Sequence, residues 1–391
     1  MIVRQFINWI KTAPAGERAE ATRALARAWL ISDLSEEDRA AAEGALLMQL
    51  DDPSPLVRQA MAQVFARSGQ APAAVVQALS LDQPSVALPI LEHSPLLIDA
   101  DLVDIVATGN NETQCAIARR IGLQASVCAA IAEVGTAEAA LELIENPYAE
   151  LASFSWDRIV ERHGHLAAIR ESMLALEDLP SATRLALVAK LTDTLAQFVV
   201  ARKWLSADRA ERVANEARDR STVDIAAVSL GDDMSGLVHH LRVTRQLTAG
   251  LILRALLSGN VELFETALAE LSELPRARVA ALLHDHGRAS LHALLKRSGL
   301  PESTFAAFQA ALDAGHETGF ADTPAGAARL RRRMVERVLT LCETDQQAAE
   351  PLMILLRRFA TESAREEARM FCEELVAEVA IAPQQQDLIA A

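Results

Sequence analysis

Arginines provide the most concentrated set of functional groups in this sequence. Arg329, Arg332 and Arg333 lie within nine residues that also contain Arg331 and Arg337. The planar guanidinium group donates two parallel hydrogen bonds to a phosphate or carboxylate, so this cluster is a candidate site for an anionic small molecule or nucleotide. Runs of charge are typical of solvated helix faces. The favoured interpretation is therefore a solvated face, or one that docks acidic segments of the same chain.

Histidines supply the one candidate metal cluster, in which His284 and His286 closely precede His292. Zinc or iron needs several ligands that converge on one point. Residues 284 and 286 would point in different directions on a helix, and Gly287 is expected to interrupt that helix. We predict no metal and no cofactor, and the sequence leaves open whether the three histidines converge in space.

No sequence motif for nucleotide binding or acyl transfer is present: GxxxxGK[ST], GxGxxG after a strand and GxSxG are all missing. Adjacent acids such as Asp51-Asp52 and Asp232-Asp233 could act as general acids or bases. Neighbouring carboxylates diverge on a helix, however, and turns and helix caps account for them better. We assign no catalytic residue and favour a protein without enzymatic activity.

The elements that must carry these residues are helices. The chain has 391 residues, of which 51% are hydrophobic but only 4% aromatic, with 16 glycines and 14 prolines. Folds with many strands need more aromatic and β-branched residues and more turns. We therefore predict an all-α protein, and the length indicates two or three domains or one elongated array.

The charge balance disfavours nucleic acid as a partner. Lysine and arginine total 38 against 53 acidic residues, for a net charge of −15. Binding along phosphates needs a basic stripe, and stacking on bases needs aromatic residues, which are scarce here. A helical-repeat nucleic-acid enzyme is therefore the least favoured of the functions considered.

Membrane insertion and secretion are also disfavoured by the sequence. The best candidate for a span, Leu247 to Leu257, is shorter than the roughly 18 to 20 residues required and contains Arg254. Arg4 and Lys11 interrupt the apolar character that a signal peptide would have at the N-terminus. We expect a cytoplasmic protein without a membrane span. Its four cysteines form no CxxC pair and are predicted to be buried, reduced thiols: Cys115, Cys128, Cys342 and Cys372.

A short polar phrase recurs in the first part of the chain. Leu50-Asp51-Asp52-Pro53-Ser54 returns 31 residues later as Leu81-Asp82-Gln83-Pro84-Ser85, and more weakly as Ile144 to Tyr148. Gly109 to Glu112 stands where an intervening copy would lie. A polar turn every 30-odd residues between short helices is typical of a helical-hairpin solenoid. The helix after the first phrase should bury Val57 and Met61.

The first phrase and its continuation, Asp52-Pro53-Ser54-Pro55-Leu56-Val57-Arg58-Gln59-Ala60, resemble HEAT-like repeats. The resemblance implies an Asp–Arg ladder between neighbouring repeats, although the second copy has Ala87-Leu88 where Val-Arg would stand. Residues 50–315 more broadly resemble an uncharacterised alphaproteobacterial family of helical-repeat proteins, which implies a fold and no activity. Three phrases carry that resemblance: Leu88 to Leu97, Ala116 to Arg120 and Glu177 to Pro180.

These observations predict a HEAT-like α-solenoid followed by a second helical lobe. We expect the HEAT-like lobe at 1–205, a polar connection at 206–236 and the second lobe at 237–391. A long helix starting at Pro180 and ending near Leu205 is apolar on two sides, which predicts a position between layers.

The predicted function is a non-enzymatic protein-binding scaffold or regulatory interaction module of a bacterial cytoplasm. Stacked helical hairpins create long grooves that suit a protein or peptide partner. The alternative is a small-molecule or nucleotide sensor that binds its ligand through Arg329, Arg332 and Arg333. The oligomeric state is left open by the sequence.

Overall fold

The computed structural model describes residues 2–284, 288–318, 324–344 and 350–386. Within these ranges the regular elements are 22 α-helices and one short 3-10 helix, Glu302–Thr304, and the one β-type pairing is an isolated bridge between Leu123 and Ala149. The all-α fold class predicted from the sequence is therefore confirmed. The chain divides into two compact units, Met1–Leu179 and Pro180–Ala391.

Short helices fill the described part of the first unit. They are α1 (Ile2–Ile10), α2 (Ala15–Ile31), α3 (Glu36–Gln49), α4 (Pro55–Phe65), α5 (Ala73–Ser80), α6 (Pro84–His93), α7 (Asp99–Thr108), α8 (Asn111–Ala118), α9 (Ala125–Val134), α10 (Ala137–Glu145), α11 (Ser153–His163) and α12 (Ala167–Leu174). The first copy of the polar phrase lies between α3 and α4, and the second begins after α5 and continues into the first turn of α6. The sequence predicts turns at both places.

Packing in the first unit links every second helix. Helix α2 packs on α4, and this series continues through α6, α8 and α10 to α12. Helices α7, α9 and α11 form a second series of the same kind. Val57 and Met61 of α4 are fully buried, as predicted. Helices this short bury too little apolar surface to stand alone, so each depends on the neighbours it packs against.

Arginine–aspartate pairs join successive parts of the first unit. Arg18 donates from Nε and Nη2 to the two carboxylate oxygens of Asp52, both at 2.8 Å. Arg58 pairs in the same bidentate manner with Asp82, the aspartate of the second phrase. Hydrogen bonding from Arg58 lowers the pKa of Asp82, although burial opposes this effect. The aspartate of the second phrase thus forms an arginine–aspartate pair, although Leu88 replaces the arginine in that copy.

Later arginines of the first unit bind backbone carbonyls instead. Arg120 donates to the carbonyl oxygens of Leu91 and Ser94, at 2.6 and 2.7 Å. Arg162 makes the same kind of pair of bonds, to the carbonyl oxygens of Ala132 at 2.9 Å and Gly135 at 2.8 Å. We call all four contacts, made by Arg18, Arg58, Arg120 and Arg162, the arginine rungs.

The second unit begins with longer helices. Its described helices are α13 (Ser181–Ala201), α14 (Ala207–Ala226), α15 (Gly231–Val243), α16 (Ala249–Leu257), α17 (Val261–Ser272), α18 (Arg276–His284), α19 (Arg288–Arg297), α20 (Phe305–Thr318), α21 (Pro324–Thr344) and α22 (Glu350–Gln386). Their core includes the stacked rings of Phe264 and Phe308, with centroids 5.9 Å apart.

The stretch 206–236, expected to be a polar connection, forms α14 and the start of α15. Its boundaries also differ from the division between the two units, which falls between Leu179 and Pro180. This stretch is helical because α14 has a buried face of small apolar residues, although most of its other residues are charged. The buried face includes Ala210, Ala214 and Ala226. A buried face made of alanines is difficult to recognise in a sequence dominated by charged residues. Helix α14 nevertheless packs closely against α13.

One expectation about individual side chains is wrong. Cys115, Cys128 and Cys342 are buried free thiols, as predicted, whereas Cys372 on α22 is exposed. On α21, Met334 and Val338 are buried and Leu341 is 47% exposed. The contacts of a helix with its neighbours change along its length, so one helix face is not uniformly buried.

Candidate functional site

The three arginines predicted to bind a ligand lie on α21, and two of them pair with acids. Arg329 is 3.2 Å from Glu374. Arg332 lies 2.7 Å from both Glu336 and Glu367. Glu374 and Glu367 belong to α22, so Arg329 and Arg332 link the two helices of this hairpin. Arg333 is exposed.

Their neighbour Arg331 points elsewhere, because successive residues on a helix are about 100° apart. It lines a partly open cavity of about 140 Å³ that is formed by α14, α16, α21 and α22, and that we call the arginine cavity. The lining residues are Arg220, Val223, Asp224, Arg254, Leu257, Ser258, Arg331, Val335, Phe359, Glu362, Ser363 and Glu366.

Arg254 is the most buried charge of the cavity. Every residue of α16 from Leu251 to Leu257 is buried, and Arg254 among them is only 7% exposed. Its guanidinium carbon lies 4.3 Å from the ring centre of Phe359, a cation–π contact that fixes the plane of the group. Its Nη1 donates to Glu362 at 2.8 Å. A charge placed within an apolar helix requires such partners, since an unpaired buried charge is very costly.

Two other arginines complete the polar lining. Arg220 lies 3.6 Å from Glu362 and 3.4 Å from Glu366. The Nε atoms of Arg254 and Arg331 are both buried, and neither makes a hydrogen bond within the described chain. Two of the arginines that line the cavity therefore each have one N–H group that the described chain does not satisfy.

A partly buried acid lies close to Arg254. Burial raises the pKa of Asp219 on α14 to about 6, and the nearby positive charges of Arg254 and Arg218 oppose this increase only in part. A carboxyl group with this pKa gains or loses its proton close to neutral pH. The charge beside Arg254 is consequently sensitive to pH.

An open groove between α14 and α22 adjoins the cavity and shares Arg220, Glu362 and Glu366 with it. We call it the arginine groove. It has a volume of about 880 Å³, and five arginines line it against three glutamates. The groove arginines are Arg220, Arg357, Arg358, Arg365 and Arg369. Arg365 is exposed and has no ion pair among the described residues.

Two of the three candidate metal ligands lie within the described residues. His284 ends α18, and His292 on α19 lies against Phe305 with ring centres 5.4 Å apart, whereas His286 lies outside the described residues. Within the described ranges no group of three or more His, Cys, Asp or Glu residues is arranged to hold a metal ion.

A strip of exposed apolar side chains lies at one end of the α13–α14 hairpin. Leu191, Leu195 and Phe198 share one face of α13 and are all exposed, with Leu195 53% exposed. Trp204 follows the helix, is 65% exposed, and packs edge-on against Phe198 with ring centres 5.7 Å apart. We call these four residues the α13 apolar strip. The helix was predicted to be apolar on two sides and to lie between layers, but the side chains of its strip residues are exposed.

Sequence reasoning found the basic cluster of α21 but not the residue of it that faces the cavity. Arg254 was visible only as a charge that interrupts an apolar stretch, which was a usable signal for a buried functional group. Nothing in the sequence singled out Arg220 among the alternating charges of α14. The convergence of three arginines from three separate helices depends on tertiary packing.

Comparison with known proteins gives one match. A family model described as an uncharacterised protein conserved in bacteria (DUF2336) matches residues 86–347, more than half of the chain. No curated protein and no solved structure matches the chain. Among the described residues, no helix combines the length and the hydropathy that a bilayer span requires.

Proposed function

Because the chain belongs to DUF2336, a family of uncharacterised bacterial proteins, its function has to be argued from its own surface, and we propose that it is a protein-interaction module. The proposed partner presents an amphipathic helix whose apolar side chains pack on the α13 apolar strip. The observation that carries this proposal is the exposure of Leu191, Leu195, Phe198 and Trp204 on one hairpin.

The spacing of the strip matches a helical ligand. Residues 191, 195 and 198 repeat every three to four positions and therefore extend over about two helical turns, or roughly 10 Å. Contiguous apolar side chains on a protein surface mark interaction sites. A partner helix with apolar residues at i, i+3 or i+4, and i+7 would cover a strip of this length.

Charge around the strip favours an acidic partner. Between residues 198 and 213 the chain has four exposed basic residues and two acidic ones, Asp208 and Glu211. The guanidinium of Arg202 already lies 5.0 Å from the ring centre of Phe198, at the edge of the strip. Carboxylates that flank the apolar face of the partner would pair with this local excess of positive charge. The basic residues are Arg202, Lys203, Arg209 and Arg212.

The same proposal treats the first unit as a HEAT-like solenoid. The serial packing of α2, α4, α6, α8, α10 and α12 supports this interpretation, as do the bidentate pairs Arg18–Asp52 and Arg58–Asp82. A rigid stack of this kind would serve as a scaffold. We also assign the protein to the cytoplasm, where free thiols such as those of Cys115 and Cys128 stay reduced.

The test compares partner binding by the full chain with binding by two double variants. Leu195→Glu with Phe198→Glu places charge in the strip. The control, Val228→Glu with Leu230→Glu, alters two exposed apolar residues after α14 that lie outside the strip. We expect a partner from the native host to bind wild type and the control, to be lost with the strip variant, and to bind through a helix with flanking acids.

A synthetic peptide of that partner helix should bind more weakly as salt increases, because salt screens the flanking charges. Partner binding that survives the strip variant, with circular dichroism showing all variants folded, would show that the strip is not the docking surface.

A further inference from the structure

We propose that the arginine cavity binds the phosphate group of a small organic phosphate, whose remainder lies in the arginine groove. This inference goes beyond protein binding, because it assigns a small-molecule site to α14, α16, α21 and α22. It rests on the unsatisfied donors, the charge balance and the dimensions of the cavity.

Two of the arginines that line the cavity carry donors without an acceptor. Arg254 is more than nine-tenths buried, and its Nε has no hydrogen-bond partner in the described chain. The same holds for the Nε of Arg331, a residue without an ion pair among the described residues. Buried donors are nearly always hydrogen-bonded in folded proteins. A phosphate group in the cavity would provide acceptors for the guanidinium groups of both residues.

The carboxylates of the cavity are already matched by arginines. One oxygen of Glu362 accepts from Arg254 and the other faces Arg220. Glu366 lies 3.4 Å from Arg220 and 3.0 Å from Arg369. Asp224 is exposed at the rim. Three arginines and three acids line the cavity, and among the described residues Arg331 and the exposed Asp224 have no ion pair. The unmatched positive charge of Arg331 is the feature that favours an anion.

The volume of the cavity suits a phosphate group, and the volume of the groove suits the rest of the ligand. A cavity of about 140 Å³ is well above the roughly 10 to 15 Å³ that one water molecule needs. It is smaller than the roughly 300 to 1,000 Å³ of a site for a whole organic ligand. The adjoining groove, at about 880 Å³, provides the additional room. Its lining includes the apolar side chains of Val213, Ala217 and Ile354, which suit a base or sugar.

Arginine chemistry favours phosphate over a monocarboxylate. Several oxygens of one phosphate can accept from guanidinium groups that arrive from different directions, as those of α14, α16 and α21 do here. Additional phosphates would meet the groove arginines, of which Arg365 has no ion pair among the described residues. Within a chain of net charge −15, five arginines against three glutamates make this groove a local exception.

The experiment is calorimetric titration of the full chain with inorganic phosphate, a nucleoside monophosphate, a sugar phosphate and acetate, at low ionic strength. Arg331→Gln removes the unmatched charge of the cavity, and Arg365→Gln removes a groove charge. Arg333→Gln is the matched control, because Arg333 lies on the same helix but is exposed and outside both sites.

We expect both organic phosphates to bind more tightly than inorganic phosphate, and acetate to bind weakest. Arg331→Gln should weaken every phosphate by about tenfold or more, which is the effect of losing one charge-assisted hydrogen bond. Arg365→Gln should weaken only the organic phosphates, and Arg333→Gln should change no affinity by more than about twofold. If Arg331→Gln does not fold, Arg331→Lys keeps the charge, loses Nε, and should still weaken binding.

Absence of binding by all three phosphates would overturn the proposal, as would equal losses in Arg331→Gln and Arg333→Gln. Equal affinities for inorganic and organic phosphates would overturn the role of the groove. The strip variant Leu195→Glu with Phe198→Glu should bind phosphates normally, so failure of the protein-interaction proposal and failure of this one are distinguishable.

Discussion

The rung arginines of the first unit and the cavity arginines of the second unit differ in the acceptors that the chain provides for them. In the first unit, the rung arginines Arg58, Arg120 and Arg162 direct their guanidinium groups to acceptors that the chain itself provides. In the second unit, Arg254 and Arg331 line a cavity, and the Nε–H of each has no acceptor among the described residues. The comparison shows that burial of an arginine does not by itself indicate its role. The supply of acceptors around it separates a structural contact from a binding group.

The largest expected effect concerns the packing of the first unit, and it tests whether the buried face of α4 contributes to stability. Met61→Asp places an unpaired charge in the buried face of α4, and we expect it to lower the free energy of unfolding by about 4 kcal/mol. Met48→Asp on α3 is the control, since Met48 is 54% exposed, and it should cost less than about 1 kcal/mol. Urea unfolding followed by circular dichroism gives both values, and similar losses would mean that α4 is not packed as described.

A smaller effect tests the rungs directly. Arg120→Met removes the donors to the carbonyl oxygens of Leu91 and Ser94, which leaves both acceptors unsatisfied, and should cost about 2 kcal/mol. The adjacent Arg119 pairs with Glu142 at the surface, so Arg119→Met should cost less than about 1 kcal/mol. The same unfolding measurement applies, and equal costs would remove the distinction between a rung and a surface ion pair.

In the second unit, a stabilising substitution is expected. The pKa of Asp219 is about 6 in the folded protein, whereas an unfolded aspartate has a pKa of about 4. The contribution of Asp219 to stability is therefore fully present below about pH 4 and is lost as the pH rises through 6. Asp219→Asn should raise the free energy of unfolding by on the order of 1 to 2 kcal/mol at pH 8, allowing for partial solvent exposure, and by almost nothing at pH 4.

The control for this prediction is Asp224→Asn, because Asp224 lies on the same helix but is exposed. Its effect on unfolding should be below about 0.5 kcal/mol at both pH values. A stabilisation by Asp219→Asn that is equal at pH 4 and pH 8 would be inconsistent with a raised pKa.

The smallest expected effect is that of Arg331→Gln on stability, and it tests directly whether a cavity arginine differs from a rung arginine. Without ligand, Arg331→Gln should change the free energy of unfolding by less than about 0.5 kcal/mol, because Arg331 has no protein acceptor to lose. Arg120→Met, measured beside it, should be several times more destabilising. If the two substitutions cost the same, Arg331 is a structural arginine like those of the first unit.

Local sequence patterns predicted much of the helical structure. Serine is a preferred residue at a helix start, and the side chain of Ser35, just before α3, accepts from the Asp38 backbone N–H. The spacing of Val57 and Met61 identified a buried face because apolar periodicity acts within one helix. The same reasoning was less successful for α14, where small alanines form the buried face and the charges dominate the composition.

Helix class, most turns and the buried face of α4 were determined by the sequence itself, because capping, proline placement and apolar periodicity act over a few neighbouring residues. Tertiary structure alone decided that Arg331, and not Arg329, Arg332 or Arg333, shares a cavity with Arg220 and Arg254. These three residues are separated by many positions in the chain, and their meeting depends on how four helices rotate against one another. A rotation of one residue, about 100°, exchanges a surface ion pair for a buried donor.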